Sequence, residues 1–226
     1  MAFGKKNSRF GDRDRERERE RFNIAAWEPK TQLGKDVKER RITTIEQVFH
    51  DGRTIQEPEI MDALIPDIKN EIIEIISVQR MTKNNRKAKY RATAVVGDRN
   101  GHVGVGAGKD IEVKAAIDSA IVDAKRKIMP VMMGCGSWQC ACGTKHSLPF
   151  MTKGRCGSVE VIIKPGPRGL GIVASEPMRK ALELAGVKDV WTFSRGRTRS
   201  KYNSVMALYR ALGNMTLMKN LKEETV

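Results

Sequence analysis

Three thiols and one imidazole lie close together near the middle of this chain of 226 residues: Cys135, Cys140, Cys142 and His146. Zinc takes four sulfur or nitrogen ligands in a tetrahedral arrangement, and a glycine-rich loop can fold around such an ion. However, the spacing differs from the familiar paired Cys-x-x-Cys, and Cys156 could replace any of the three cysteines. Zinc is therefore a candidate cofactor, although none is required. Free thiols in a loop are the alternative.

A second group of residues has a strong charge bias. Residues 80–91 contain six basic side chains and no acidic one: Arg80, Lys83, Arg86, Lys87, Lys89 and Arg91. The pair Asn84-Asn85 favours a tight turn, which would point the cations of the basic loop 82–89 outward together. A solvated hairpin is the alternative, but cations without acids are typical of a surface that contacts phosphates. We predict RNA contacts by these residues: Lys83, Arg86, Lys87, Lys89 and Arg91.

A second basic set occurs near the C-terminus, in the sequence SRGRTRSK: Arg195, Arg197, Arg199 and Lys201. Arginine at every other position of an extended segment displays its charge on one edge. Ser200 could cap the helix that follows, and the N-terminus of a helix attracts phosphate. No acidic residue lies between Asp189 and Glu223. This segment is predicted to be a second RNA contact.

The composition of the whole chain agrees with a polyanionic partner. There are 42 Lys+Arg against 27 Asp+Glu, and a net charge of +15 is commonly balanced by nucleic acid. Only 5% of residues are aromatic, which argues for reading of backbone and shape rather than base stacking. No apolar run approaches ~18 residues, so no membrane partner is expected. No nucleophile occurs with a base and its orienting group, so we expect neither an enzyme nor a small-molecule substrate.

The sequence predicts two folded α+β units that carry these segments. In the first, the β-branched residues of 71–81 predict a strand, and a second strand follows the basic loop. Residues 98–101, DRNG, predict a tight turn before a third strand. From Ile111 onward apolar residues recur at helical spacing, which predicts a helix packed on one face of an antiparallel sheet. Three glycines would let the third strand lie close to that helix: Gly104, Gly106 and Gly108.

The second unit is predicted to be a two-layer α/β domain. Its elements are a strand at 158–164, a rigid loop at 165–171, extended chain at 172–174, a helix at 177–185, a strand at 187–193 and a helix at 200–212. Pro177 suits the first turn of its helix, and Gly186 suits a left-handed C-terminal cap.

The predicted division of the chain has four parts: an N-terminal extension, largely irregular, at 1–66; a double-stranded-RNA-binding-like domain at 67–132; a Cys/Gly-rich connection at 133–147; and a C-terminal domain at 148–226. The extension contains DRDRERERER at 12–21, which has nothing apolar to bury. We expect a solvated tail in the free protein. On an RNA surface its arginines could bind phosphates.

The order of these motifs resembles one protein family. The sequences TKNNRKAKYRATAVVGDRNGHVGVGAGK, then TKGRCGSVEVIIKPGPRGLGIVAS and LELAGVKDV, are similar to those of the small-subunit ribosomal protein S-five family in its archaeal and eukaryotic form. The resemblance covers roughly 67–212. It implies an N-terminal domain similar to a double-stranded-RNA-binding module and a C-terminal ribosomal α/β domain. The long N-terminal extension and the cysteine-containing connection depart from the bacterial form.

The resemblance also implies partners and sites. The basic loop would reach ribosomal RNA near the decoding region, and the loop 165–171 would lie at the interface with small-subunit protein four and influence translational accuracy. Small-subunit proteins three and eight would be neighbours at the messenger entry side. The residues expected at the protein interface are Gly166, Pro167, Arg168 and Gly169, and Arg168 is also expected to contact RNA.

The sequence therefore predicts a structural constituent of the small ribosomal subunit in the cytoplasm, one that binds ribosomal RNA by electrostatic contacts and has no catalytic activity. A free double-stranded-RNA-binding regulator with a zinc knuckle is the alternative. The extension discriminates between the two, because a ribosomal extension should become ordered only within the particle.

Overall fold

A computed structural model describes residues 27–140 and 142–217 of the chain. In chain order the elements are α1 (Gln32–Lys38), α2 (Ile45–His50), α3 (Glu59–Leu64), β1 (Lys69–Met81), β2 (Arg86–Gly97), β3 (His102–Asp110), α4 (Val113–Arg126), β4 (Ile128–Pro130), β5 (Thr152–Cys156), β6 (Val159–Pro165), β7 (Ile172–Val173), α5 (Glu176–Ala185), β8 (Val190–Arg195) and α6 (Lys201–Thr216). The predicted α+β class is confirmed.

The first sheet has the strand order β1-β2-β3-β4, and all of its pairs are antiparallel. The strands β1 and β2 form a long hairpin that pairs Lys69 with Gly97 and Met81 with Arg86 at its two ends. In the turn before β3, the carboxylate of Asp98 accepts hydrogen bonds from the backbone amides of Asn100 and His102. This is the tight turn that the DRNG sequence predicts.

The helix α4 lies unusually close to β3. A Cβ atom added at Gly104 or at Gly106 would lie 2.2 Å from a backbone atom of Ala124, and one added at Gly108 would lie 2.4 Å from the carbonyl oxygen of Ala116. The helix presents alanines to this strand, and they are fully buried. The prediction that these glycines serve helix–strand packing is confirmed.

The second sheet has the order β5-β6-β8-β7, in which only the short β7–β8 pair is parallel. The helix α5 ends at Gly186, whose φ of 87° is the left-handed cap expected from the sequence. The strand β5 was not predicted, because TKGRC lacks a run of β-branched residues. Its formation depends on pairing with β6 and on Gly154, where a Cβ would lie 2.1 Å from the carbonyl of Ala207 in α6.

The N-terminal extension differs from the expectation of a largely irregular segment. Its described part, 27–66, contains the three short helices α1 to α3 around a small apolar cluster. The buried members include Val37, Val48, Ile60 and Met61, and Ile128 of β4 joins them. Each helix is too short to show a period in the sequence, and the three bury their apolar residues only together. The segment 12–21 lies outside the described residues.

The largest apolar cluster joins the two sheets. Val95, Val103 and Val105 of the first sheet belong to the same buried cluster as Val161 of β6 and Leu182 of α5. Within residues 27–140 and 142–217, no helix has the length and apolar character that crossing a membrane requires. The two sheets therefore share one core, and the basic segments and Cys135, Cys140 and Cys142 lie outside it.

Candidate nucleic-acid interface and metal-ligand cluster

The tip of the β1–β2 hairpin projects from the body of the protein. Every residue of 81–90 is exposed. The turn closes through a hydrogen bond of 2.8 Å from the Thr82 amide to the Asn85 carbonyl, and the Asn85 side chain accepts another from the Arg86 amide at 2.7 Å. The predicted loop 82–89 is therefore a shorter turn followed by the start of β2, because the strand pairing continues to Met81 and Arg86.

Four cations share one face of this hairpin, which we call the basic face: Arg80, Lys87, Lys89 and Arg91. Alternate residues of a strand point to the same face, and Arg80 lies directly opposite Lys87. The other face of β2 continues into Ala92 and Ala94, which pack on α4. Like charges directly opposite one another destabilise a strand pair unless an anion offsets them. In the part of the chain that the structure describes, no carboxylate forms an ion pair with any of these four side chains.

The second basic segment lies after β8 and is also exposed. Arg195 ends the strand, Gly196 turns the chain with a φ of 91°, and Lys201 begins α6. Arg197 and Arg199 are exposed in this turn. Ser200 occupies the N-cap position, but its hydroxyl makes no capping hydrogen bond, which differs from the expectation. Its carbonyl accepts the first helical bond, from the Ser204 amide.

One contact brings the two basic segments together. The guanidinium carbon of Arg91 lies 4.1 Å from the centroid of the Tyr202 ring in the first turn of α6. This cation–π contact joins the base of the basic face to the segment that carries Lys201. Sequence reasoning missed Tyr202, since a tyrosine at a helix start gives no signal that a strand 111 residues away will pack on it.

The backbone of the loop 165–171, which we call the anchored loop, is held by hydrogen bonds to the side chains of Asp189 and Ser147. The Oδ1 atom of Asp189 accepts hydrogen bonds from the amides of Gly169 and Gly171, at 3.1 and 2.8 Å. The Ser147 hydroxyl accepts another from the Gly166 amide at 3.0 Å. Arg168 points from this frame as an exposed side chain. Sequence reasoning missed Asp189 and Ser147, whose roles depend on contacts with residues 18 to 43 positions away.

Asp189 is a buried carboxylate, with only 5% of its surface exposed. Burial by itself would raise its pKa, but the amides of Gly171 and Gly169 and the ring of His146 more than offset that effect and hold the pKa below its ordinary value. The carboxylate is therefore ionised and accepts hydrogen bonds on both of its oxygens.

The three cysteines and the histidine predicted as metal ligands converge, and we call them the cysteine cluster. One ligand atom from each of these residues lies within 4.8 Å of all the others: Cys135, Cys140, Cys142 and His146. The Sγ atoms of Cys142 and Cys135 are 3.4 Å apart, and the Sγ atom of Cys140 lies 3.8 Å from Nε2 of His146. Cys156 ends β5 outside this group, so the suggestion that it could replace one of the three is wrong.

Neighbouring groups shift the pKa values of two thiols in the cluster. The Thr144 hydroxyl donates to Cys142 Sγ at 3.2 Å and, with the Thr144 backbone, lowers the pKa of that thiol to about 6. The hydrogen bond between the Cys135 and Cys142 thiols, whose Sγ atoms are 3.4 Å apart, is the main cause of a raised pKa at Cys135. The cluster can therefore hold one thiolate near neutral pH, which is the form that binds metals.

Comparison with known proteins agrees with this arrangement of two domains. The model described as Ribosomal protein S5, N-terminal domain, matches residues 68–132, and that described as Ribosomal protein S5, C-terminal domain, matches residues 154–225. The chain is 50% identical over 204 residues to the Small ribosomal subunit protein uS5 of Methanococcus maripaludis, covering 90% of this chain and 91% of that protein.

Two further relatives carry the same name. The protein from Methanocaldococcus jannaschii is 49% identical over 203 residues, which cover 90% of this chain and 94% of the relative. The protein from Pyrobaculum arsenaticum is 46% identical over 197 residues, which cover 87% and 98% respectively. The chain belongs to the ribosomal protein S5 family, in its archaeal and eukaryotic form.

Proposed function

We propose that this protein binds ribosomal RNA within the small ribosomal subunit through the basic face of its hairpin and the segment 195–201. Family membership makes it a structural ribosomal protein rather than an enzyme, and its relatives are named as small-subunit proteins. The subunit is a cytoplasmic particle, so that is where the protein works. The observation that carries the RNA-binding proposal is the row of four cations next to Tyr202 and α6, which form no ion pair with any carboxylate of residues 27–140 and 142–217.

The mechanism is electrostatic clamping. A cation that neutralises a phosphate releases a condensed counterion, and each such contact adds about 0.9 to the slope of log affinity against log salt for a duplex. The hairpin supplies two paired strands that hold Lys87 and Lys89 in a fixed spacing, while Arg91 is held by Tyr202. Such contacts position a protein on RNA without reading base sequence.

The anchored loop supports the finer part of the proposal, which concerns neighbouring proteins and decoding. Gly166 is buried, whereas Arg168 and Gly169 are exposed on a loop whose backbone is held by Asp189. A fixed loop with one outward cation suits a contact with a small-subunit neighbour, and we assign it to protein four. The family resemblance implies an influence on translational accuracy at that interface with protein four, and proteins three and eight are the further expected neighbours, at the messenger entry side.

The alternative of a free RNA-binding regulator has less support. The relatives match this chain over about nine-tenths of its length and of their own, and they are named as ribosomal proteins. Only about a tenth of the chain lies outside the part that it shares with these ribosomal proteins.

A salt titration of RNA binding tests the proposal. The double variant Lys87→Ala/Lys89→Ala should bind a fragment of small-subunit ribosomal RNA more weakly than the wild type. Its salt slope should also be shallower by roughly 2, because two phosphate contacts are lost. Fluorescence anisotropy with a labelled RNA fragment at several salt concentrations measures both quantities.

The matched control removes the same charge elsewhere. Lys114 of α4 and Lys188 before β8 are exposed and lie outside both basic segments, so Lys114→Ala/Lys188→Ala should change the slope much less. Equal slopes for the two double variants would show that binding follows total charge and would remove the basic face from the interface.

A further inference from the structure

The cysteine cluster has the dimensions of a zinc site. Zinc–sulfur distances of about 2.3 Å at tetrahedral angles place neighbouring sulfur ligands about 3.8 Å apart. The observed separations are close to that ligand–ligand distance: 3.4 Å between the Sγ atoms of Cys142 and Cys135, and 3.8 Å between Cys140 Sγ and His146 Nε2. Since no pair of ligand atoms is further apart than 4.8 Å, the loop would have to contract by no more than about an ångström to bind the ion.

The histidine is already turned for metal binding. Its Nδ1 atom lies 2.8 Å from Oδ2 of Asp189, and both side chains are more than nine-tenths buried. An ionised carboxylate can only accept, so Nδ1 carries the proton and the lone pair of Nε2 faces the thiol of Cys140. A carboxylate that orients a metal-binding histidine in this way is a usual companion of protein zinc sites.

The same carboxylate reaches the anchored loop. While Oδ2 of Asp189 binds His146, its Oδ1 accepts from Gly169 and Gly171. The next residue after the histidine, Ser147, is the acceptor for the Gly166 amide. Ser147, which follows His146, and Asp189, which binds His146, thus support the two ends of the loop 165–171.

We propose that Cys135, Cys140, Cys142 and His146 bind one structural Zn²⁺ ion, and that the bound ion orders the anchored loop through His146 and Asp189. This inference goes beyond RNA binding by the basic face and does not depend on it. Three thiols lose their protons on binding, and three thiolates with a neutral imidazole leave a site of net charge −1. The arrangement favours a metal over a disulfide, because a bond between Cys135 and Cys142 would use only two of the four converging groups and would not account for the orientation of His146 towards Cys140.

Metal analysis tests the first half of the proposal. The full-length protein, expressed with zinc and kept reduced, should contain about one zinc ion per chain by inductively coupled plasma mass spectrometry. Cys140→Ser and Cys142→Ser should lose most of it, whereas Cys156→Ser should keep it, because that cysteine lies outside the cluster. Equal loss in Cys156→Ser would overturn the assignment.

Cobalt titration keeps the proposal testable if the serine variants do not fold. Co²⁺ added to the chelator-treated wild type should give the intense absorption of tetrahedral thiolate coordination, and zinc should abolish it. A wild-type protein that holds no zinc and gives no such spectrum has no site of this kind. Asp189→Asn should retain the site with affinity lowered by about 10- to 100-fold, because the histidine loses its charged partner.

Hydrogen exchange tests the link to the loop. Removal of zinc from the wild type with a chelator should accelerate exchange of the amides of Gly169 and Gly171 several-fold, while β3 in the first sheet keeps its protection. An unchanged loop would show that the metal and the loop are independent. If the loop and β3 accelerate together, the ion stabilises the whole fold and the proposed coupling is wrong.

Discussion

At the scale of single residues, buried carboxylates organise the turns of this protein. Asp98 has a side chain that is only 6% exposed, and it accepts from the ring of His102 at 2.6 Å as well as from two backbone amides. Burial alone would raise the pKa of Asp98, but these donors outweigh it and place the pKa below its ordinary value. The ionised form of Asp98 therefore stabilises the fold.

The first prediction concerns the pH dependence of that stabilisation. A carboxyl group whose pKa is lower in the folded state contributes stability above its unfolded pKa, near 3.8, and the contribution is lost as the pH falls through the folded pKa. Asp98→Asn should therefore lower the free energy of unfolding by about 1–3 kcal/mol at neutral pH. The difference between the two proteins should shrink below about pH 4. Urea unfolding at a series of pH values measures the difference in free energy of unfolding between the wild type and the variant. If that difference stays constant down to the lowest pH measured, the charge of Asp98 is not its cause.

At the scale of elements, the packing of α4 on β3 depends on the absence of side chains in the strand. Ala120 contributes the carbonyl oxygen and Ala124 the amide nitrogen that lie closest to Gly106, and both are helix backbone rather than flexible side chain. Backbone atoms cannot move aside without displacing the helix from the sheet. Glycine at positions 104, 106 and 108 is therefore required for α4 to lie this close to β3.

The second prediction is that Gly106→Ala destabilises the protein. The added Cβ would lie 2.2 Å from the Ala124 nitrogen, so the helix must shift, at a cost of about 1–3 kcal/mol or more. Gly213→Ala is a matched control, because its Cβ would meet only the flexible side chain of Met129, at 3.3 Å from the sulfur, and alanine favours the helix. Thermal unfolding compares the two variants, and equal effects would refute the packing argument.

The elements also show which features the sequence could predict. The strand β1, the turn at 98–101 and the cap at Gly186 follow from β-branched residues and turn chemistry within a few positions. By contrast, β5 exists because β6 pairs with it and because Gly154 admits α6. Convergence of the cysteines could be expected from their proximity in the chain, but the support of His146 by Asp189 joins residues 43 positions apart. Local patterns carry no information about such contacts.

At the scale of the whole molecule, the two sheets share one core and several polar contacts. The amide of Arg99, in the turn after β2, donates to the carbonyl of Leu184 at 2.8 Å, and that of Gly101 donates to Ala185 at 3.1 Å. The Tyr209 hydroxyl of α6 donates to the Lys127 carbonyl beyond α4 at 2.6 Å. Since these contacts cap α5 and tie α6 to the first half, the two halves should unfold together.

The last prediction tests that cooperativity. Val103→Ala removes methyl groups from the first sheet and should cost on the order of 2 kcal/mol. Because Val103 belongs to the shared cluster, the slowest-exchanging amides of β6 in the second sheet should exchange about tenfold faster or more, given that 1.4 kcal/mol corresponds to a factor of ten. Hydrogen exchange followed by mass spectrometry of the β6 segment gives this ratio.

The matched control for that experiment is Val37→Ala in α1, whose side chain belongs to the separate cluster of the extension. It should accelerate exchange in α1 to α3 and leave β6 unchanged. If Val103→Ala also leaves β6 unchanged, the two sheets are independent folding units despite their common core. If both variants accelerate β6 equally, the extension unfolds with the body, and α1 to α3 are part of one cooperative unit that runs from the extension to α6.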